Sequence, residues 1–136
     1  MPEFSKKSQE LLNQCHPDLI KIFNSIVNRF DCSVICGHRG EQEQNSAYKI
    51  KASTKKYPNS KHNKIPSMAV DVVPYPVEWS NTNRMRYFAG YVVGIAERMY
   101  LEGIINHKIR WGGDWDSDTV LKDQRFDDFP HFELID

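Results

Sequence analysis

The spacing of apolar residues along the chain predicts four helices. In the segment HPDLIKIFNSIVNRF (residues 16–30) apolar side chains recur at helical intervals, and Pro17 stands where the first turn of a helix tolerates proline. The more polar segment before it, residues 4–15, predicts a shorter first helix. A mainly exposed helix is expected over residues 41–52, and the longest helical pattern covers residues 82–103.

Four short runs rich in β-branched and aromatic residues predict strands. They are CSVICG (32–37), MAVDVVPY (68–75), HKIRWGGDW (107–115) and PHFELI (130–135). A long polar segment with prolines, residues 53–67, predicts a loop before the second strand. The order helix, helix, strand, helix, strand, helix, strand, strand indicates an α+β fold class: a small antiparallel sheet with helices packed around it.

Length and charge narrow the classes of protein that this chain can represent. A chain of 136 residues is expected to form one domain. Its 18 Lys and Arg residues balance 18 Asp and Glu residues, so no net positive field attracts nucleic acid or an anionic membrane. The first residues lack the apolar stretch of a secretory signal, and no run of about 18 apolar residues occurs. We therefore expect a soluble intracellular protein that binds no nucleic acid and does not insert into a membrane.

The cysteine content argues against a disulfide framework. Cys15, Cys32 and Cys36 are an odd number of thiols in a chain without a secretory signal. Cys32 and Cys36 lie four residues apart in the first predicted strand, where side chains at even spacing share one face. We expect both thiols to be buried on that face rather than to bind a metal ion.

The segment SKHNKIPSMAVDVVPYP combines a histidine in a polar loop with an aspartate inside an apolar strand. Burying the carboxylate of Asp71 is costly unless a positive charge holds it, and His62 precedes it by nine residues. The last predicted strand begins with His131, which alternation places on one face with Glu133. Two imidazoles and a carboxylate, with one position open for water, are a ligand set typical of catalytic zinc.

Two further charged residues are suited to hydrolysis beside such a metal. The acidic pair Asp127 and Asp128 lies just upstream of His131, and Asp128 is close enough in sequence to share one water with it. Arg39 lies between two glycines in GHRG, where it is a candidate cation for a developing oxyanion.

The remaining three histidines are weaker candidates. His16 stands in a cap-like position before a helix, and His107 lies in a polar turn, so both are expected to be solvated surface residues. His38 is next to Arg39 and is a candidate for the lining of the site rather than for a metal ligand.

The stretches SKH, AVDVVPY, RWGGDWD and DFPHFEL together resemble a family of zinc peptidases. This family includes L-alanyl-D-glutamate endopeptidases of bacteriophages and bacteria, D-Ala-D-Ala carboxypeptidases and the dipeptidases of vancomycin resistance. The resemblance runs from about Cys32 to the C-terminus, and the N-terminal helices match loosely. It implies one zinc peptidase domain over residues 1–136, with N-terminal helices in 1–30, a catalytic core in 32–136 and the zinc site on the sheet, as in hedgehog and D-Ala-D-Ala peptidases.

The resemblance also implies a role for each matching residue. His62, Asp71 and His131 correspond to the zinc ligands, Asp128 to the catalytic acid/base and Arg39 to the cation that steadies the scissile carbonyl oxygen. Substrate binding falls to Ser60, Trp111, Asp114 and Trp115, and Gln44 corresponds to a family glutamine of structural or substrate-binding use. RWGGDW (Arg110 to Trp115) resembles the segment that lines the cleft near the metal in the endopeptidase branch. The spacing between His62 and Asp71 is longer than in the commoner family pattern, with proline and serine in place of glycine.

The implied function is hydrolysis of the peptidoglycan stem peptide between L-Ala and D-Glu. One zinc ion per chain would serve a monomeric phage-type endolysin that stays in the host cytoplasm until lysis and then acts on the cell wall. By ligand type, cobalt or nickel would also fit the site. Two alternatives stay open: a D-Ala-D-Ala carboxypeptidase or dipeptidase of the same family, and a non-catalytic zinc-binding interaction domain.

Overall fold

A computed structural model describes residues 1–121 and 126–136, and its elements follow the predicted order. The α+β fold class with a small antiparallel sheet is confirmed. The elements are α1 (Lys6–Leu12), α2 (Pro17–Ile26), β1 (Cys32–Cys36), α3 (Glu41–Lys49), a single 3-10 turn (Lys61–Asn63), β2 (Ala69–Pro74), α4 (Thr82–Leu101), β3 (Lys108–Trp111) and β4 (His131–Ile135).

The sheet has four antiparallel strands in the order β1-β2-β4-β3, so β2 and β4 are central. Alternation along these two strands separates their side chains by chemistry. Val70 lies opposite Phe132, and both are fully buried in the core. Asp71 lies opposite His131, so the neighbouring positions turn polar groups to the other face.

Helices α2 and α4 cover the apolar face of the sheet. Phe132 on β4 makes edge contacts with Phe23 of α2 at 5.5 Å and with Phe88 of α4 at 6.2 Å between ring centroids. Burying an aromatic side chain of this size contributes roughly 1.5–3 kcal/mol. The polar face is left to the loops that precede and follow the strands.

The helix ends agree with the sequence pattern to within a few residues. Helix α4 ends at Leu101, and Gly103 two residues later has a φ of 76°, a left-handed conformation that favours glycine. Helix α3 ends at Lys49, three residues before the end of its predicted range. Among the described helices, none is both long enough and apolar enough to cross a membrane.

A buried carboxylate ties the start of α2 to the segment before β3. Asp18 Oδ2 accepts hydrogen bonds from the backbone N–H groups of Asn106 (2.9 Å) and His107 (3.1 Å) and from His107 Nδ1 (2.8 Å). His16 Nδ1 caps the helix by accepting from Asp18 N at 3.0 Å. His16 and His107, which we expected to be solvated surface residues, are therefore parts of the fold.

These contacts set the ionisation of Asp18. Burial alone would raise its pKa, but the hydrogen bonds from His107 and Asn106, with the nearby imidazoles, hold the pKa below its usual value of 3.8. The folded state therefore favours the charged carboxylate.

Replacing Asp18 with alanine is expected to lower the free energy of unfolding by about 1.5–3 kcal/mol, because three donors lose a charged acceptor. The pKa is lower in the folded than in the unfolded state. The stabilisation is therefore complete above about pH 4 and is lost as pH falls through the folded-state pKa. Urea denaturation at several pH values measures both effects.

Glu10→Ala, at an exposed site on α1, is the control and should change stability by less than about 0.5 kcal/mol. An equal loss in the two variants would contradict the role of Asp18.

Candidate metal centre and active site

Three polar side chains converge on the polar face of the sheet. Asp71 and His131 are register partners on β2 and β4. His62 reaches them from the 3-10 turn, where Ser60 Oγ accepts from His62 N at 3.2 Å and Arg39 N donates to His62 O at 2.8 Å. The turn is thus fixed from both sides, and the buried imidazole of His62 has little freedom to move.

The three atoms that meet form a nearly equilateral triangle. His62 Nε2 lies 3.2 Å from Asp71 Oδ1 and 3.2 Å from His131 Nδ1, and His131 Nδ1 lies 3.4 Å from Asp71 Oδ1. Ligands bound tetrahedrally to zinc at about 2.0–2.1 Å lie about 3.3–3.4 Å from one another. The triangle therefore has the dimensions of one face of a tetrahedral metal site.

Hydrogen bonds on the far side of each ring fix which nitrogen carries the proton. His62 Nδ1 lies 2.8 Å from the carbonyl oxygen of Gly37, which can only accept, so Nδ1 donates. His131 Nε2 lies 2.7 Å from Glu133 Oε1 and donates to this carboxylate. In the neutral rings the two nitrogens that face Asp71 therefore carry lone pairs, and a cation is needed between them.

The pKa values of His62 and Asp71 are both shifted toward the charged form of each group, as expected where positive charge is stabilised. Burial lowers the pKa of His62, but the Asp71 carboxylate overrides it and raises the pKa to about 10. Burial would raise the pKa of Asp71, but the two histidines hold it well below its usual range. A metal ion would supply the same charge without a proton, so the donor set fits a metal.

The position of Cys36 corrects one expectation. Cys32 is buried in the core, but the ladder between β1 and β2 shifts after Val34, so that Cys36 pairs with Asp71. This bulge turns Cys36 to the polar face, away from the face of Cys32. Its Sγ lies 3.9 Å from His62 Nδ1, the nitrogen directed at Gly37. Cys36, His62 and Asp71 thus form a possible metal-binding group in the described chain, although the thiol is not on the side of His62 where His131 lies.

Arg39 stands beside the cluster and is held by a buried amide. Its Nη2 lies 3.5 Å from Asp71 Oδ2, and its Nη1 donates to Gln44 Oε1 at 3.1 Å. Gln44 is fully buried and donates to Ser53 Oγ (2.9 Å) and to the carbonyl of Lys55 (2.6 Å). Gln44 therefore lies behind Arg39 and orients it, which agrees with the structural one of the two uses that the resemblance implied.

Asp128 approaches the cluster from the segment before β4. Its Oδ2 lies 3.9 Å from His131 Nδ1, and burial together with Asp71 raises its pKa to about 6. Asp128 N donates to Gly112 O at 2.9 Å, and Gly112 N donates to His131 O at 2.8 Å. A Cβ on Gly112 would collide with the backbone of Asp128, so only glycine allows this approach.

A cleft of about 380 Å³ opens over these groups. Ser60 and Trp115, two of the expected substrate-binding residues, line it, and the ring of Trp115 lies 5.4 Å from that of His131. Arg110, in the segment RWGGDW that the resemblance implied to line the cleft, also lies in its wall. Four further polar and charged side chains there were not anticipated: Ser53, Thr54, Lys55 and Lys61.

Trp111 and Asp114 lie outside this cleft. Trp111 is the register partner of Phe132, so its side chain enters the core, where Nε1 donates to the carbonyl of Phe129 at 2.7 Å. Asp114 Oδ2 accepts from Thr119 N at 3.0 Å and stabilises the loop after β3. Both residues border a separate groove against α4.

Glu133 connects the metal cluster to two cations. Its Oε1 accepts from His131, and its Oε2 accepts from Arg110 Nε (3.2 Å) and Nη2 (2.6 Å), with Lys61 Nζ at 3.9 Å. Burial would raise the pKa of Glu133, but these partners lower it to about 2. The alternation of side chains along the last strand predicted that Glu133 and His131 share one face. Arg110 is opposite Glu133 only because β3 pairs with β4, which the sequence does not reveal.

Glu133→Gln is expected to weaken binding of a metal ion at the cluster by roughly 10- to 100-fold, with zinc as the probe, because a neutral amide no longer holds the His131 ring as a strong carboxylate acceptor does. Titration of zinc against a competing chelator measures the affinity, and circular dichroism checks the fold. Glu102→Gln, at an exposed carboxylate paired with Arg98, is the matched control. Unchanged zinc affinity in Glu133→Gln would refute this role.

Comparison with known proteins identifies the family of this chain. A search of the curated proteins finds no match. Among solved structures, the L-Ala D-Glu endopeptidase ChiX of Serratia marcescens is similar, with 26% identity over 98% of this chain and 91% of that chain and a TM-score of 0.68. The family model for phage L-alanyl-D-glutamate peptidase matches residues 2–135. The chain therefore belongs to the phage L-alanyl-D-glutamate peptidase family.

Proposed function

We propose that this protein is a zinc-dependent endopeptidase that cuts the peptidoglycan stem peptide between L-Ala and D-Glu. His62, Asp71 and His131 hold one zinc ion, and the protein acts on the cell wall as a phage-type endolysin. The observation that carries the proposal is the triangle of three ligand atoms with edges of 3.2–3.4 Å, in a chain of this peptidase family. When bound, zinc supplies Lewis-acid chemistry: it makes water more acidic and stabilises negative charge on a carbonyl oxygen.

Two side chains perform the proton transfer and the charge stabilisation. Asp128 accepts the proton of the attacking water and delivers it to the departing amine of D-Glu. Arg39 donates hydrogen bonds to the carbonyl oxygen of L-Ala as this oxygen becomes negative. The 3.1 Å hydrogen bond from Arg39 to buried Gln44 supports this role, since a guanidinium held in place loses little freedom when the substrate binds.

The other polar residues of the cleft contribute binding. Ser60 and Trp115 line the cavity and contact the stem peptide there. We assign no direct substrate contact to Trp111, Asp114 or Gln44, because their side chains lie in the core, in the loop after β3 and behind Arg39.

Digestion of Gram-negative sacculi tests the reaction itself. We expect mass analysis to detect stem peptides released with an N-terminal D-Glu, and glycan strands that retain only L-Ala. Removal of zinc with a chelator should abolish release, and adding zinc back should restore it. Loss of only a terminal D-Ala would identify a carboxypeptidase, and no cleavage with zinc present would identify a binding domain.

Asp128→Asn is expected to reduce kcat by roughly 100- to 10,000-fold, because the amide cannot accept the proton of water. The zinc content should stay at one per chain, since Asp128 is not among the three ligands. Asp127→Asn, at the neighbouring exposed position, is the control and should keep nearly full activity. Cleavage by Asp128→Asn at the wild-type rate would mean that another group is the base.

Gly112→Ala is expected to reduce activity by a similar factor without changing any ionisable group. The added methyl would collide with the Asp128 backbone and push its carboxylate away from the cluster. Gly94→Ala on α4, where a Cβ meets no atom within 4 Å, is the control and should be fully active. Thermal denaturation of both variants separates loss of geometry from loss of fold. Full activity in folded Gly112→Ala would show that the position of Asp128 does not limit the reaction.

A further inference from the structure

One wall of the cleft carries more positive charge than the proposed reaction uses. Lys55, Lys61 and Arg110 all line the cavity, while Arg39 alone serves the scissile carbonyl. The carboxylate of Glu133 is shared by two of these cations, Lys61 and Arg110. Asp136 also acts on Lys61 electrostatically but borders the separate groove against α4. This wall of the cleft therefore has unbalanced positive charge.

Arg110 is held in a position suited to binding an anion. Its Nε and Nη2 both donate to Glu133 Oε2, and its guanidinium carbon lies 5.9 Å from the centre of the Trp115 ring. Among the described residues, none accepts a hydrogen bond from Nη1. A guanidinium fixed along one edge, with donors remaining on Nη1, binds a carboxylate at little entropic cost.

Lys61 and Lys55 extend the same wall. The ammonium of Lys61 donates to the carbonyl of Leu134 and keeps further donors. Lys55 is exposed at the rim, and only its backbone groups take part in hydrogen bonds with Ser53 and Gln44. Cations gathered around one cleft raise the local concentration of anionic ligands.

The substrate class supplies a matching anion. Glutamate has two carboxyl groups, and only one of them can continue a peptide chain. The other stays ionised at neutral pH unless it is amidated. In a peptide cut before D-Glu, this carboxylate lies on the residue that carries the departing amine. Glu133 binds both His131 and Arg110, so the cationic wall adjoins the ligand cluster, next to the scissile bond.

We propose that Arg110 and Lys61, with Lys55 at the rim, form a subsite that binds the free carboxylate of the D-glutamate residue. This inference rests on the proposed function and adds a selectivity to it: the enzyme distinguishes D-glutamate from its amidated form, D-isoglutamine. A C-terminal carboxylate of the peptide has the same chemistry, so the experiment must separate the two sources.

Three synthetic stem peptides make this separation with the zinc-loaded enzyme. The reference peptide has a free carboxylate on D-glutamate and a free carboxylate at its C-terminus. The second peptide has D-isoglutamine in place of D-glutamate, and the third has a C-terminal amide. We expect the isoglutamine peptide to be cleaved with a kcat/KM roughly 10- to 100-fold lower, mainly through KM, since it cannot form the charge-assisted hydrogen bonds. The C-terminal amide should be cleaved like the reference.

Variants of the cations assign the effect to residues. In Arg110→Gln and Lys61→Gln the ratio of kcat/KM between the first two peptides should fall toward one, and Lys55→Gln should lower it less. The ratio is independent of zinc occupancy, because both peptides report on the same enzyme. Lys56→Gln is the matched control, since Lys56 lies over the Tyr48 ring and outside the cleft lining, and it should keep the wild-type ratio.

The outcomes separate this inference from the proposed function. If wild-type enzyme cleaves none of the three peptides, the proposed function fails. If it cleaves the D-glutamate and D-isoglutamine peptides equally, the reaction stands and the subsite is refuted. Discrimination against the C-terminal amide instead would assign the cations to a terminal carboxylate and also overturn the inference. A wild-type ratio that persists in both Arg110→Gln and Lys61→Gln would exclude these residues as its source.

Discussion

Three lone pairs directed at one point are the constraint on which the site depends. His62 Nε2, His131 Nδ1 and Asp71 Oδ1 lie within 3.4 Å of one another, and the far nitrogen of each ring donates to a fixed acceptor. Such a group is repulsive unless positive charge lies among the three atoms. Neighbouring groups are arranged around this charge: Arg39 beside Asp71, Asp128 beside His131 and Glu133 behind the His131 ring.

The sheet fixes two of the three ligand residues through strand register, and the 3-10 turn before β2 supplies the third, His62. Because Asp71 and His131 are direct partners on the two central strands, their separation is fixed by backbone hydrogen bonds. The opposite face of the same strands carries Val70 and Phe132, which the helices bury. Shifting either strand by one residue would exchange the two faces, so the energy that forms the core also enforces the geometry of the cluster.

The sequence was sufficient for the elements and for the chemistry of the cluster, because both leave local signals. An aspartate in an apolar strand and a histidine beginning another are visible without coordinates. The position of Cys36 was not, since a bulge after Val34 has no mark in CSVIC. Trp111 is a different case. Treating RWGGDW as one lining segment ignored alternation, which directs Arg110 to the cleft and Trp111 to the core. The cations of the cleft wall depend on pairing between distant segments, which periodicity does not encode.

Glu133 links two parts of the polar face, the ligand cluster and the cationic wall of the cleft. Its two oxygens bind different partners: Oε1 holds the ring of His131, and Oε2 holds the guanidinium of Arg110. Glu133 therefore stands between the His131 ring of the ligand cluster and the charged guanidinium of Arg110, and it accepts hydrogen bonds from both. Because His131 and Arg110 bind the same carboxylate, the positions of the imidazole ring and of the guanidinium both depend on where Glu133 lies. The ligand cluster and the cationic wall are therefore linked by direct contact through one side chain.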